Sequence, residues 1–164
     1  MAYDIYDASI PPLIHMLGGL SNILTKGEAH GGIDPAEARL APDMLPLKAQ
    51  VYIATDTAKG CGARLAGVEI PKYEDIETSF ADLKARVAKT IAFLKSLDRK
   101  AFPGSETKHI VLKFPNVTFE FNGADYVGNF VLPNAYFHIT TAYGILRNRG
   151  VALGKGDYIG GAQA

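Results

Sequence analysis

Apolar residues recur at steps of three and four along four long stretches of the chain, and this spacing restricts its possible folds more than any other feature. In the first stretch, the repeat runs through Ile10, Leu13, Ile14, Leu17, Leu20 and Leu24. A period of 3.6 residues places such side chains on one face of a helix. The pattern predicts helices over 5–26, 47–65, 80–97 and 133–149. Each apolar face needs a partner, so the sequence predicts an all-α fold, an antiparallel four-helix bundle.

Cap signals predict where these helices begin. Pro11 and Pro12 lack amide donors and are tolerated in a first turn, so regular helix is expected only from that point. Asp43 is expected to cap the second helix, because an aspartate side chain accepts hydrogen bonds from the first amides of a helix. Thr78 or Ser79 is expected to cap the third helix for the same reason.

The connecting segments carry other patterns. Residues 109–121 are rich in β-branched and aromatic side chains and predict a small β-hairpin before the last helix. Residues 35–40, which begin with a proline after an aspartate, predict a short helical turn. Residues 125–132 are predicted to be irregular or extended, so that Pro133 opens the last helix. The glycine-rich tail 154–160 is predicted to be a loop.

Length and composition are those of a single domain covering residues 1–164. The chain is 48% hydrophobic and 21% charged, which is an ordinary globular composition. Its 17 basic and 17 acidic residues cancel, so no nucleic-acid partner is expected. No apolar run reaches the roughly 20 residues that cross a bilayer, so no membrane contact is expected. The lone Cys61 excludes an internal disulfide, and the acidic start is unlike a secretory signal, so a cytoplasmic location is expected.

Two of the predicted helices carry a second pattern beside their apolar face. In the second helix, small residues such as Gly60 and Ala63 form a stripe opposite the larger apolar side chains, which predicts burial on two faces. Asp56 falls within this small-residue stripe. In the third helix, the basic residues are predicted to form a solvated outer face; they are Lys84, Arg86, Lys89 and Lys95.

The residues best placed for chemistry lie on the last helix. Asn134 and His138 share a face with Ala142, so both are expected to point into the bundle. A buried polar group without a partner costs about 1–3 kcal/mol, and Gln50 and Asp56 on the second helix are the available partners. The four polar residues form either a structural cluster, or the lining of a small-molecule pocket, or a vestigial metal site. If the imidazole acts as a base, Asp56 would orient it for proton transfer.

Separated motifs occur along nearly the whole chain. They are Asp43-Met44-Leu45-Pro46-Leu47 with Gln50 and Asp56, Arg64-Leu65-Ala66-Gly67, Pro133 to Tyr143 with Leu146-Arg147 and Gly150, and Gly154-Lys155-Gly156-Asp157-Tyr158. In this order they resemble an uncharacterised bacterial domain family within the DinB/YfiT-like superfamily of putative metalloenzymes. The resemblance implies a four-helix bundle. It also implies a homodimer, which is frequent in the wider superfamily.

The resemblance to that superfamily also implies a metal site made of three histidines. One of them would lie on the second helix, and the other two would lie four residues apart on a later helix. Only His138 matches this pattern, because Asn134 stands four residues earlier and Asp56 takes the second-helix position. A carboxamide is a poor ligand for zinc or nickel, so no metal and no other cofactor is expected. A set of aspartate, asparagine and histidine could still hold a hard divalent ion weakly.

The other chemically capable residues are assigned structural or surface roles. His15, His30 and His109 are single histidines without a second ligand in the pattern. Cys61 lies in a packed stripe without a neighbouring base, which is typical of an inert thiol. The glycines around Lys155 lack the preceding strand and following helix of a phosphate loop.

Three functions remain open from the sequence. The first is a protein that binds an unidentified small molecule, which predicts a pocket reaching the four polar residues. The second, implied by the resemblance, is a divergent metal-dependent enzyme that transfers small thiols or hydrolyses its substrate, and it needs a metal bound through His138. The third is a structural or interaction protein in which the polar cluster is architectural.

Overall fold

Four long helices form the body of the computed structural model, which describes residues 3–160. They are α1 (Ile5–His30), α2 (Leu47–Ala66), α3 (Phe80–Ser96) and α5 (Leu132–Asn148). The shorter elements are helices α4 (Gly123–Asp125) and α6 (Lys155–Ile159) and strands β1 (Ile110–Phe114) and β2 (Val117–Phe121). The predicted four-helix bundle with a small hairpin before α5 is confirmed. Residues 1, 2 and 161–164, which the sequence-based domain 1–164 includes, lie outside the described residues.

The long helices pack so that α1 and α2 each contact both α3 and α5. Gly27, near the end of α1, lies against Phe80 at the start of α3 and Leu146 near the end of α5. Helix α1 is therefore antiparallel to α3 and parallel to α5. Gly62, near the end of α2, lies against Leu94 near the end of α3. The helices consequently run up, down, down and up in chain order, and a long extended connection returns the chain from the end of α2 to the start of α3.

Helix α1 begins before the prolines that were expected to open it. Asp4 and Asp7 form a capping box around the first turn. Arg99 bridges the two carboxylates, at 2.9 Å from Asp4 and 2.6 Å from Asp7. This cap and bridge stabilise a regular turn ahead of Pro11 and Pro12, and the helix continues through both prolines although neither can donate a helical hydrogen bond.

The predicted cap of α2 is wrong, whereas the predicted cap of α3 is confirmed. Asp43 lies outside α2, and the residue before the first turn is Pro46, which adopts an extended conformation and has no side-chain cap. Proline fixes its own φ angle near the helical value and so precedes a helix readily. The Ser79 hydroxyl caps α3 and accepts a hydrogen bond from the amide of Asp82 at 3.1 Å.

The hairpin has the predicted position and a regular register. Strands β1 and β2 are antiparallel, with Ile110 opposite Phe121 and Phe114 opposite Val117. The short helical turn predicted over 35–40 is present and spans only residues 35–37. The Asp34 side chain caps it by accepting a hydrogen bond from the amide of Ala36 at 2.8 Å.

Residues 125–132 are helical, and the prediction of an irregular or extended segment is wrong. Asn122 starts α4 early, because its side chain accepts a hydrogen bond from the amide of Asp125 at 2.8 Å. A π-helical segment, Tyr126–Val131, then continues α4 into α5. Such a widened turn accommodates Pro133, which cannot donate a regular helical hydrogen bond.

Residues 155–159 form α6, so the prediction of a loop over the tail 154–160 is wrong. The Asp157 carboxylate accepts a hydrogen bond from the amide of Gly154 at 2.8 Å. Lys26 of α1 binds the same carboxylate at 2.6 Å. These contacts, and the packing of α6 on α1, outweigh the poor helix propensity of glycine.

Arg86 is buried, although the sequence placed it on a solvated face of α3. Its guanidinium donates to the Thr55 hydroxyl at 2.8 Å and to the Asp56 carboxylate at 2.9 Å, both on α2. It also lies 3.0 Å from Asp75 and 3.1 Å from Glu77, in the connection between α2 and α3. This set of five residues, the Arg86 network, exists because the connection folds back over the face of α3 that helical spacing assigned to solvent.

The outward faces of the bundle carry exposed charged residues such as Lys95 on α3. Helices with one polar face are typical of a bundle whose apolar faces meet in one core. No helix within residues 3–160 combines the length and the hydropathy that a transmembrane span requires.

Candidate ligand site

His138 and Gln50 form a buried polar pair between α5 and α2. The imidazole Nδ1 lies 2.7 Å from the Gln50 side-chain oxygen, and the Gln50 amide nitrogen donates to the carbonyl of Leu45 at 3.0 Å. Since an amide oxygen can only accept, Nδ1 carries the proton and Nε2 is the bare nitrogen of the ring. Burial lowers the pKa of His138 below its ordinary value, so the neutral form is favoured.

Asn134 forms a second polar pair between the same helices. Its amide nitrogen donates to the Thr57 hydroxyl at 2.7 Å. Asn134 and Thr57 are both half-buried, whereas His138 and Gln50 are buried. Both residues predicted on the last helix therefore contact α2 and face the bundle as expected, and one of the two partners, Thr57, was not predicted.

Asp56 does not take part in either pair. Its Oδ1 lies 2.9 Å from the Arg86 guanidinium and 2.7 Å from the Lys59 ammonium group. The α2 residue that contacts His138 is Gln50, so Asp56 is not the counterpart of the second-helix ligand in the way the motif resemblance suggested. The proposed orientation of the imidazole by Asp56 has no supporting hydrogen bond among the described residues.

A cleft of about 270 Å³ opens beside the Asn134–Thr57 pair, between α2, the hairpin, the π-helical segment and the start of α5. We call it the hairpin cleft; its lining residues are Ile53, Asp56, Thr57, Arg64, Leu112, Phe114, Tyr126, Phe130 and Asn134. The cleft contains two of the four predicted site residues, Asp56 and Asn134. The other two, Gln50 and His138, do not line it.

One wall of the cleft is aromatic. The rings of Tyr126 and Phe130 are stacked with their centroids 6.1 Å apart. Phe114 of β1 lies 6.4 Å from Phe130 and is 47% exposed, so this ring is at the mouth of the cleft. The π-helical segment and the hairpin together build this wall.

The opposite wall is formed by residues of α2, and these include a cation, Arg64. The Arg64 guanidinium donates to the Tyr126 hydroxyl at 3.1 Å. Burial raises the pKa of Tyr126 to about 12, so its hydroxyl remains a neutral acceptor for this bond. A side chain at Gly60 would place its Cβ 2.5 Å from the Arg64 Nη1 atom, so Arg64 lies across α2 only because residue 60 is glycine. Gly60 therefore has a definite role, which is to leave room for the Arg64 side chain.

Sequence reasoning missed Thr57, Arg64, Tyr126 and the aromatic wall as site residues. Part of the signal was present, because Thr57, Gly60 and Arg64 follow one another at steps of three and four and so share a face of α2. Nothing in the spacing placed Tyr126 beside them, since that contact joins residues 62 positions apart.

Comparison with known proteins agrees with the motifs. A family model described as a domain of unknown function, DUF1993, matches residues 5–159. The chain belongs to the DUF1993 family. It is also similar to a DinB family member protein from Shewanella denitrificans, whose crystal structure has been determined. The alignment covers 97% of this chain and 93% of that protein, with 37% sequence identity and a TM-score of 0.83. No curated protein matches. The resemblance to an uncharacterised DinB-like domain family is thereby confirmed.

The residues of this DUF1993 domain do not fit a three-histidine metal centre. Around His138, the side chains that α2 and α5 supply are the carboxamides of Gln50 and Asn134 and the hydroxyl of Thr57, which are weak ligands for zinc or nickel. Within residues 3–160, no group of three or more His, Cys, Asp or Glu side chains is arranged to hold a metal ion.

The remaining candidates of the DUF1993 chain do not line the hairpin cleft. His109 pairs across the hairpin with Glu120 at 3.0 Å, and both side chains are mostly exposed. Cys61 is fully buried, and burial raises the pKa of its thiol to about 12, so it is not a thiolate at neutral pH. His15 and His30 lie on α1 and belong to neither polar pair.

Proposed function

We propose that the protein binds a small organic molecule in the hairpin cleft. The observation that carries the proposal is the convergence on one cleft of an aromatic wall and a few polar groups, Arg64, Thr57 and Asn134. Ligand sites are typically concave and mostly apolar, with a small number of polar groups that fix orientation. The cleft volume, about 270 Å³, lies slightly below the usual range of about 300–1,000 Å³ and therefore suits a small ligand.

Binding is favoured over the metal-dependent alternative by the donor set around His138. Gln50 accepts from Nδ1, and the neighbouring residues offer an amide and a hydroxyl in place of imidazoles. A purely structural role explains the buried hydrogen bond between His138 and Gln50, which joins α5 to α2. A structural role does not explain why the Arg64 guanidinium is held at the wall of a cleft, and the position of this guanidinium supports ligand binding.

A library of small aromatic and aliphatic compounds, screened by amide chemical-shift changes in the protein, tests the proposal. Ligands should shift resonances of residues that line the cleft. The variant Ile53→Trp should suppress these shifts, because residue 53 lines the cleft and is half-buried, so a larger side chain fills it.

Ile91→Trp is the matched control, since Ile91 is a half-buried isoleucine on α3 that is not part of the cleft. Ligand-induced shifts should persist in this variant. If no compound shifts the cleft residues of the wild type, or if Ile53→Trp leaves the shifts unchanged, the cleft is not a binding site.

We also propose that the protein is a cytoplasmic homodimer. The single buried cysteine supports a reducing compartment. The exposed apolar residues of the hairpin, Val111, Val117 and Phe119, support burial against a second copy. Light scattering after gel filtration tests the dimer, and a monomeric mass at micromolar concentration would exclude it.

A further inference from the structure

We infer that the ligand of the hairpin cleft is a small aromatic monocarboxylate whose anionic group binds Arg64. The inference rests on the proposed function and names the chemical class that the cleft selects. It depends on three features of the cleft: a cation without an acidic partner, a helix surface shaped around that cation, and a wall of aromatic rings.

Arg64 is a half-buried cation with no carboxylate within salt-bridge distance among residues 3–160. By contrast, Arg86 and Arg99 each contact two or more carboxylates. The only hydrogen bond of the Arg64 guanidinium in this part of the chain joins Nη1 to the Tyr126 hydroxyl. Within the same residues, the only buried side-chain nitrogen or oxygen without a partner is the Ser105 hydroxyl, so the other Arg64 donors remain accessible. A guanidinium with accessible donors on a planar fork matches a carboxylate.

The helix surface under Arg64 is shaped for this position. Gly60 lies one turn before Arg64, and the guanidinium occupies the space that a Cβ at residue 60 would take. Glycine in a helix interior costs about 1 kcal/mol relative to alanine, so stability alone favours alanine here. The contact with Tyr126 holds the guanidinium from the other side. The cation is therefore placed at the wall of the cleft and not extended into solvent.

The rest of the cleft selects the other properties of the ligand. Phe114, Phe130 and Tyr126 provide a wall on which an aromatic ring stacks. A volume of about 270 Å³ suits a single substituted ring. Asp56 also lines the cleft, but its carboxylate is paired with Arg86 and Lys59, so Arg64 is the one cation of the cleft lining within residues 3–160 and matches a single negative charge. A monocarboxylate is thus preferred over a phosphate ester, which carries a charge of about −1.5 to −2 at pH 7.

Three probes of one shape separate these properties: benzoate, its neutral amide benzamide, and the dianion phenyl phosphate. In a titration followed by amide chemical shifts, benzoate should shift the cleft residues and bind on the order of tenfold or more tighter than benzamide. If benzamide binds the cleft as well as benzoate does, the carboxylate inference fails and the binding function stands. Tighter binding of phenyl phosphate would overturn the preference for a single charge.

Variants test the role of Arg64 in benzoate binding. Arg64→Gln should weaken it on the order of 10- to 100-fold, because a charged hydrogen bond is lost. Arg149→Gln is the matched control, since Arg149 is exposed at the end of α5, and it should bind benzoate like the wild type. Equal affinity of the Arg64→Gln and wild-type proteins would refute the inference.

Gly60→Ala displaces the Arg64 guanidinium without removing its charge. Because this variant is expected to fold, weaker binding in it cannot be due to unfolding of the protein. The only atoms that the new Cβ meets belong to the flexible end of Arg64, so the helix tolerates the methyl group. We expect a melting temperature equal to or above that of the wild type and benzoate binding weakened about tenfold or more. Unchanged benzoate affinity in this variant would show that the position of Arg64 does not matter, which contradicts the inference.

Discussion

The Arg86 network provides a quantitative test of how the connection between α2 and α3 is held. Arg86 has a fully buried side chain, and its three acidic partners differ in exposure: 13% for Glu77, 44% for Asp56 and 56% for Asp75. Removing one partner of a buried ion pair costs about 3–5 kcal/mol, because the charge left behind is uncompensated. Two of the three carboxylates are accessible enough to be hydrated again, so Arg86→Met should lose about 3 kcal/mol, at the low end of that range.

Urea unfolding followed by circular dichroism measures this loss of stability. The melting temperature should decrease by about 6–12 °C, since each kcal/mol corresponds to about 2–4 °C. Lys95→Met, an exposed position on the same helix, is the control and should stay within about 0.5 kcal/mol of the wild type. Adding Glu77→Gln to Arg86→Met should recover about 1 kcal/mol, since it neutralises the most buried acid. If the Arg86→Met protein is as stable as the Lys95→Met control, Arg86 does not hold the connection between α2 and α3 in place.

Three further predictions concern groups that titrate or bind metal. Burial lowers the pKa of His138, so the unfolded chain binds the proton more readily; stability should fall as pH decreases through about 6.5, and His138→Gln should flatten that slope in thermal unfolding. The Cys61 thiol, with a pKa raised to about 12, should react with a disulfide reagent only when the protein unfolds, and fast reaction of the native protein would contradict its burial. Protein purified without a histidine tag should contain little zinc or nickel by elemental analysis, whereas stoichiometric metal that is lost in His138→Ala would support the metal-dependent alternative.

The helices and the hairpin could be predicted because their signals are local. The apolar steps through Leu13, Leu17, Leu20 and Leu24 reflect the helical period itself, and all four residues are buried in α1. The alternation of side chains in a two-stranded hairpin is equally local. Each of these patterns can be read within a short stretch of sequence and does not depend on which element packs against it.

Two of the errors have a different cause, which is contact between residues far apart in the chain. Arg86 is buried because Glu77 and Asp56 approach it from the connection and from α2. Helix α6 forms on the surface of α1 through Lys26 and Asp157, against the propensity of its glycines. Neither arrangement has a periodic signal, so the sequence pattern assigned Arg86 to a solvated face and the tail to a loop.

The candidate site was predicted in part for the same reasons. His138 and Gln50 face each other as expected, because both positions follow from helical periodicity and from the requirement that buried polar groups be paired. Asp56 was misassigned to His138, because a helix face does not reveal which of two neighbouring helices an aspartate meets. Tyr126 was missed because its segment was expected to be irregular and not π-helical.

The two polar pairs and the hairpin cleft have different roles in the structure. The Gln50–His138 and Thr57–Asn134 bonds cross between α2 and α5 at two levels, so they fix the position of these helices relative to each other. Since α2 and the start of α5 form walls of the hairpin cleft, the pairs also fix its shape. The hydrogen bonds of these pairs join one helix to the other, whereas the Arg64 guanidinium keeps donors that nothing in residues 3–160 occupies. We therefore propose that Arg64 recognises the ligand and that the two polar pairs hold the walls of the cleft in position.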